Sequence, residues 1–114
     1  KITNYYSKAN LVITRSGASV LGELINVKIP FISIPLPTSA DDHQLKNAIY
    51  YQNKGFGYLI AEKDIKDQLY DLINSIFKNK SLIKNILKNQ SQYSDKNIFK
   101  NINTHIEKII YEKN

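Results

Sequence analysis

The stretch NLVITRSGASVLGELINVKIPFISI, residues 10–34, holds two short apolar runs separated by one amphipathic segment. NLVIT (10–14) is continuous and rich in β-branched residues, as a strand covered on both faces requires. R-S-G then breaks it. From 17 to 27, residues Val20, Leu21, Leu24, Ile25 and Val27 fall on one arc, which predicts a helix over that span. Pro30 biases its predecessor away from helix, and FISI (31–34) reads as a second buried strand. A strand, a helix and a strand in so short a span predict a βαβ unit with parallel strands.

The same alternation continues downstream. PLPTSADD is a loop punctuated by Pro35 and Pro37, and Asp41 or Asp42 is placed to cap a helix over about 42–54. Gly55 stands where a left-handed cap would end that helix. GYLI (57–60) gives a third short strand. Helices are expected over 64–79, 81–90 and 95–112. The last carries Ile98, Phe99, Ile102, Ile106, Ile109 and Ile110 on one stripe, expected to pack on protein rather than on a membrane. Residues 2–8 read as the end of a helix or a lead-in loop.

Three parallel strands are fewer than the five or six of a doubly wound sheet. The fold class is therefore α/β: part of a Rossmann-like parallel sheet with flanking helices and a helical C-terminal tail. Residues 1–114 form a single partial domain, with a βαβαβ segment over 9–61 and helices over 62–114. The remaining strands are expected before residue 1, in the same chain or in a partner. The edge left open is a candidate for self-association.

Bulk properties narrow the function classes. The chain has 114 residues, 42% hydrophobic and 23% charged, with no run long enough to span a bilayer, and no export is expected. Lack of cysteine excludes disulfides and thiolate metal sites. The net charge of +6 sits mostly in the tail, where residues 78–114 hold eight lysines against Asp95, Glu107 and Glu112. No nucleic-acid motif accompanies that charge, so no nucleic-acid partner is expected.

Ligands of open parallel sheets bind beyond the carboxyl ends of the strands. Here those ends are Thr14-Arg15-Ser16-Gly17 and Ile34-Pro35-Leu36-Pro37, and the first runs straight into a helix N-terminus whose free N–H groups suit a phosphate. Ser16 can cap the helix or offer a hydroxyl. Read alone, S-G-A is either an anion site or merely a small-residue turn. Glu23 lies about 40° beyond Val27 on the helical wheel, at the margin of the apolar arc. There it either accepts hydrogen bonds from a ribose diol or faces solvent. Gln44 and Asn47 share a face of the next helix, and their carboxamides suit sugar hydroxyls. His43, near that helix start, is a secondary candidate. It and His105 form no metal-binding pattern, and no metal or cofactor is expected.

The order R-S-G-A, then Glu, then a P-strand-P segment, then D-x-Q-x-x-N-A resembles the bacterial peptidoglycan N-acetylglucosaminyltransferases, the MurG family. The similarity runs through ANLVITRSGASVLGELINVKIPFISIPLP and ADDHQLKNA and more loosely to the end of the chain. The resemblance implies the donor-binding C-terminal domain of a GT-B fold. It also implies transfer of N-acetylglucosamine from UDP-GlcNAc to lipid I, giving lipid II, at the cytoplasmic face of the plasma membrane. The donor contacts it implies are Ser16, Gly17, Ala18, Ser19, Val20, Leu21, Gly22, Glu23, Gln44 and Asn47, with Arg15 and His43 as further candidates. Glu23 matches the family's ribose-binding acid and Gln44 the glutamine on the GlcNAc hydroxyls.

Two departures accompany the match. Val20 stands where family members often carry Thr, and no acceptor-activating base is expected within this chain. Acceptor lipid I would be met through an N-terminal domain. Alternative readings are the small subunit of a split lipid-linked GlcNAc transferase and a catalytically inert sugar-nucleotide-binding or interaction domain. A Rossmann domain for another cofactor is disfavoured because no G-x-G-x-x-G occurs.

Overall fold

The structure is a computed structural model and describes residues 11–93. The expectations for residues 2–8 and for a helix over 95–112 fall outside the described residues. In chain order the elements are β1 (Val12–Arg15), α1 (Ala18–Asn26), β2 (Phe31–Ile34), a 3-10 turn (Ala40–Asp42) and α2 (His43–Asn53). Then come β3 (Tyr58–Leu59), a second 3-10 turn (Glu62–Asp64) and α3 (Ile65–Lys78). A further helix, α4, is described over 80–93.

The three strands form one parallel sheet in the order β1-β2-β3. Val12 stands beside Phe31 and Arg15 beside Ile34, while Ile32 pairs Tyr58 and Ser33 pairs Leu59. All four residues of the central β2 are buried, which is why three of its four residues are large and apolar. β1 alternates between half-buried and exposed positions, and among the described residues no strand lies along its outer edge.

Alternate strand residues feed two cores. Phe31 points to one face, where it meets Leu21, Leu24, Ile25, Ile29 and Phe56, with Val12, Val20 and Tyr51 at the margin. Ile32 points to the other and meets Ile60 and Ile76, with Leu69, Leu72 and Ile73 of α3 beside them. Each fully buried Leu, Ile or Phe contributes roughly 1.5–3 kcal/mol. A nine-residue helix such as α1 is not stable alone, so this burial holds it in place.

Helices α1 and α2 stop by the same device. After α2, Gly55 at φ 78° donates to the Gln52 carbonyl and Phe56 to that of Tyr51. The Phe56 and Tyr51 rings lie 6.1 Å apart, completing a Schellman motif. After α1 the pattern repeats, with Lys28 donating to Ile25 and Ile29 to Leu24. There the left-handed position is a lysine, at φ 59°.

At the opposite end from the strand tips, α4 closes the sheet with one side chain. Gln90 is fully buried, and its Nε2 donates to the carbonyls of Ile29 and Phe56, each at 2.8 Å. Those residues precede β2 and β3, so the amide ties the two strand entries together.

Candidate functional site

The carboxyl ends of β1 and β2 deliver two loops, Ser16-Gly17 and residues 35–39, to one side of the molecule. Helix α1 starts there with Gly17 as its N-cap, in extended conformation and without a side-chain cap. The first intrahelical bond runs from the Leu21 N–H to the Gly17 carbonyl at 3.0 Å. The N–H groups of Ala18, Ser19 and Val20 therefore precede the intrahelical ladder, and they carry the positive end of the helix dipole. A Cβ placed on Gly17 would meet nothing within 4 Å. Ala18 and Ser19 are exposed. This tip is open to a ligand.

Ser16 behaves differently from the expectation that it caps the helix. It is fully buried, and its hydroxyl has no hydrogen-bond partner among the described residues. Its backbone is held instead by α2. The Ser16 N–H donates to Gln44 Oε1 at 3.4 Å, and Asn47 Nδ2 donates to the Ser16 carbonyl at 3.2 Å. Gln44 Oε1 also accepts the Leu36 N–H at 2.8 Å. One carboxamide oxygen thus joins the two loops at the strand ends. Because Oε1 accepts twice, the amide nitrogen of Gln44 is the group left to present to a ligand.

The start of α2 also departs from the sequence reading. Neither Asp41 nor Asp42 caps it by a side-chain bond. Both sit at positive φ, 52° and 55°, a region that aspartate tolerates better than most residues. The Gln44 N–H is satisfied by Ser39 Oγ at 3.2 Å. His43, the first residue of α2, is exposed, with Nε2 4.0 Å from Asp41 Oδ2.

Within α1 the candidates separate by depth. Leu21 is fully buried in the first core, and Val20 packs against that core. The Leu21 side chain is therefore committed to holding the helix on the sheet. Gly22 leaves open space where a Cβ would stand. Glu23 is half-buried, roughly 7.5 Å along the axis from Ala18.

Arg15 is the last residue of β1 rather than part of the break after it. Its Nη2 donates to Glu62 Oε1 at 2.6 Å, and its Nη1 lies 3.5 Å from the Ile34 carbonyl oxygen. Glu62 was not singled out from the sequence. The one available signal was a lone arginine, whose fork needs an acid. Gln90 was also missed, although it falls seven residues after Ile83 on an otherwise apolar stripe.

No group of His, Asp or Glu able to hold a metal occurs among the described residues, and none of their helices is long and apolar enough to cross a membrane.

Comparison with known proteins identifies the surroundings of this site. The glycosyltransferase family 28 C-terminal domain matches residues 1–106. The UDP-N-acetylglucosamine–N-acetylmuramyl-(pentapeptide) pyrophosphoryl-undecaprenol N-acetylglucosamine transferase of Pelagibacter ubique is 40% identical over 97% of this chain and 32% of its own length. The protein of the same name from Flavobacterium psychrophilum is 36% identical over 92% of this chain and 29% of its own. The chain thus spans about a third of these relatives. A crystal structure of Acinetobacter baumannii MurG superposes with a TM-score of 0.68 at 24% identity, covering 80% of this chain and 26% of that one. That likeness gives the fold: three parallel strands with flanking helices, as part of a GT-B C-terminal domain. The chain therefore belongs to glycosyltransferase family 28, as a C-terminal domain of that family.

Proposed function

We propose that this chain is the UDP-GlcNAc-binding part of an inverting glycosyltransferase that moves N-acetylglucosamine onto a lipid-linked muramoyl-pentapeptide, lipid I, to give lipid II. The observation that carries the reading is the uncapped tip of α1, with Gly17 facing open space beside the joined Gln44 and Asn47. A diphosphate at this tip would receive hydrogen bonds from the first-turn N–H groups. Glu23, farther along α1, would take the ribose hydroxyls, and the Gln44 amide would donate to the hexose.

In such a reaction the acceptor hydroxyl attacks the anomeric carbon as the bond to the diphosphate oxygen breaks. Negative charge grows on that oxygen. Fixed N–H dipoles aimed at it stabilise the transition state more than the ground state. The proton of the acceptor hydroxyl goes to a base outside this chain. The acceptor's lipid anchor would bring the protein to the cytoplasmic face of a membrane.

The test is titration of the intact protein with UDP-GlcNAc, read by calorimetry and backbone NMR. Saturable shifts at Ser16–Glu23 and Gln44–Asn47 are expected. A flat response at millimolar ligand in a folded sample would overturn the reading and favour an inert domain.

A further inference from the structure

We propose that Arg15 and Glu62 act as one positioning pair that sets the donor-binding turn, an inference that rests on the function proposed above. Arg15 immediately precedes Ser16-Gly17, and its register neighbour is Ile34, the last residue of β2. Its guanidinium spreads across the strand ends, with Nη1 toward the Ile34 carbonyl and Nη2 on Glu62, which opens the turn after β3. One side chain thereby links β1, β2 and the segment leaving β3. A planar fork with divergent donors can do this, whereas a lysine ammonium is a point charge.

The turn is gripped from two directions. Gln44 and Asn47 hold the Ser16 backbone from α2. By strand alternation Arg15 lies on the sheet face that carries Ile13, opposite to the face of Val12 and Phe31. Released from either side, the tip could tilt, and N–H groups must be aimed within a fraction of an ångström of their anion to bind it well.

Stability is not what the pair supplies. Its side chains are 47% and 41% exposed, and exposed pairs contribute little to folding. Glu62 also neutralises Arg15 and engages its Nη2, which leaves the diphosphate to the backbone tip. A guanidinium bound directly to the donor would behave in the opposite way, because removing Glu62 would free it.

A double-mutant cycle on the intact protein separates these cases. Calorimetry gives the UDP-GlcNAc Kd for wild type, Arg15→Gln, Glu62→Gln and the double variant, with the KM for the lipid acceptor and the melting temperature measured alongside. Each single substitution should raise the donor Kd about fivefold, equivalent to ~1 kcal/mol. The double variant should be no worse than either single. Acceptor KM should stay unchanged and the melting temperature should move by less than about 2 °C. Glu62→Gln with unchanged or tighter donor binding would overturn the proposal, as would two effects that multiply, or a lowered melting temperature with unaltered Kd. A wild type that fails to bind UDP-GlcNAc would instead remove the functional reading beneath it.

Discussion

Gln44 has two jobs on the reading above, and one substitution separates them. Its Oε1 accepts the Leu36 N–H at 2.8 Å and the Ser16 N–H at 3.4 Å, joining the loops after β2 and β1. Its amide nitrogen is the part assigned to the sugar. Gln44→Glu keeps two acceptor oxygens, and a carboxylate accepts backbone N–H groups at least as well as an amide does. The bracket should therefore survive and the melting temperature should hold. The donor N–H groups, however, are gone. Losing one or two hydrogen bonds of about 0.5–1.5 kcal/mol each predicts a UDP-GlcNAc Kd raised about tenfold. UDP, which lacks the hexose, reports how far the new carboxylate beside the Ser16 N–H repels the diphosphate, so the loss of about tenfold is read as the excess for UDP-GlcNAc over UDP. Gln44→Ala removes bracket and donor together, costing about 1–2 kcal/mol of stability as well as sugar affinity. Calorimetric titrations with both ligands and thermal melts of the three proteins provide the readouts. If Gln44→Glu binds UDP-GlcNAc as wild type does, the amide does not touch the sugar. If it melts as early as Gln44→Ala, the bracket argument is wrong.

Other outcomes follow from the fold. Lys28 occupies a left-handed position at φ 59°, so Lys28→Gly should raise stability by about 1 kcal/mol in urea unfolding. Gln90→Leu should lower it by about 2–3 kcal/mol, because the buried carbonyls of Ile29 and Phe56 lose their 2.8 Å donor. At Gly57 an added Cβ would stand 2.7 Å from the Phe31 carbonyl oxygen as well as against its ring, so Gly57→Ala should cost about 3 kcal/mol. Burial pushes the Tyr51 and Tyr58 phenols up, with the neighbouring Tyr50 adding to the rise at Tyr51. Their contribution is whole below the ordinary phenol value of about 10 and is lost as pH rises through the native values, since the unfolded chain ionises first. An alkaline unfolding midpoint that Tyr58→Phe fails to move upward would refute that assignment.

The sequence showed most of what depends on local pattern. FISI became β2 with the expected bounds, because a central strand buried on both faces favours apolar residues, and its one polar residue, Ser33, has its hydroxyl placed on the Tyr58 carbonyl. Gly55 took the left-handed cap foreseen for it, since few other residues accept φ 78° without strain. The capping expectations failed where distant chain intervened. Ser16 lost its cap role because Gln44 and Asn47, 28 and 31 residues away, hold its backbone and draw it inside. Asp41 and Asp42 yielded to Ser39, whose hydroxyl reaches the Gln44 N–H from the far side of the 3-10 turn. A spacing rule cannot see such competition, because each residue there was eligible on local grounds.

The same distinction explains why the candidate site could be named from the sequence while its supports could not. Small residues at a strand-to-helix turn and paired carboxamides on a helix are local signatures, readable from residue type and spacing. What aims them is not local. Arg15 reaches Glu62 across 47 residues and Gln90 reaches Ile29 across 61. Each is one polar side chain placed where several strand ends or entries converge, and convergence exists only after the sheet has formed. An unpaired residue type in a sequence, such as one arginine among lysines or one glutamine on an apolar stripe, is therefore informative in a particular way. It marks a place where the fold gathers backbone from several elements, and its partners can be named only once the strand order is known.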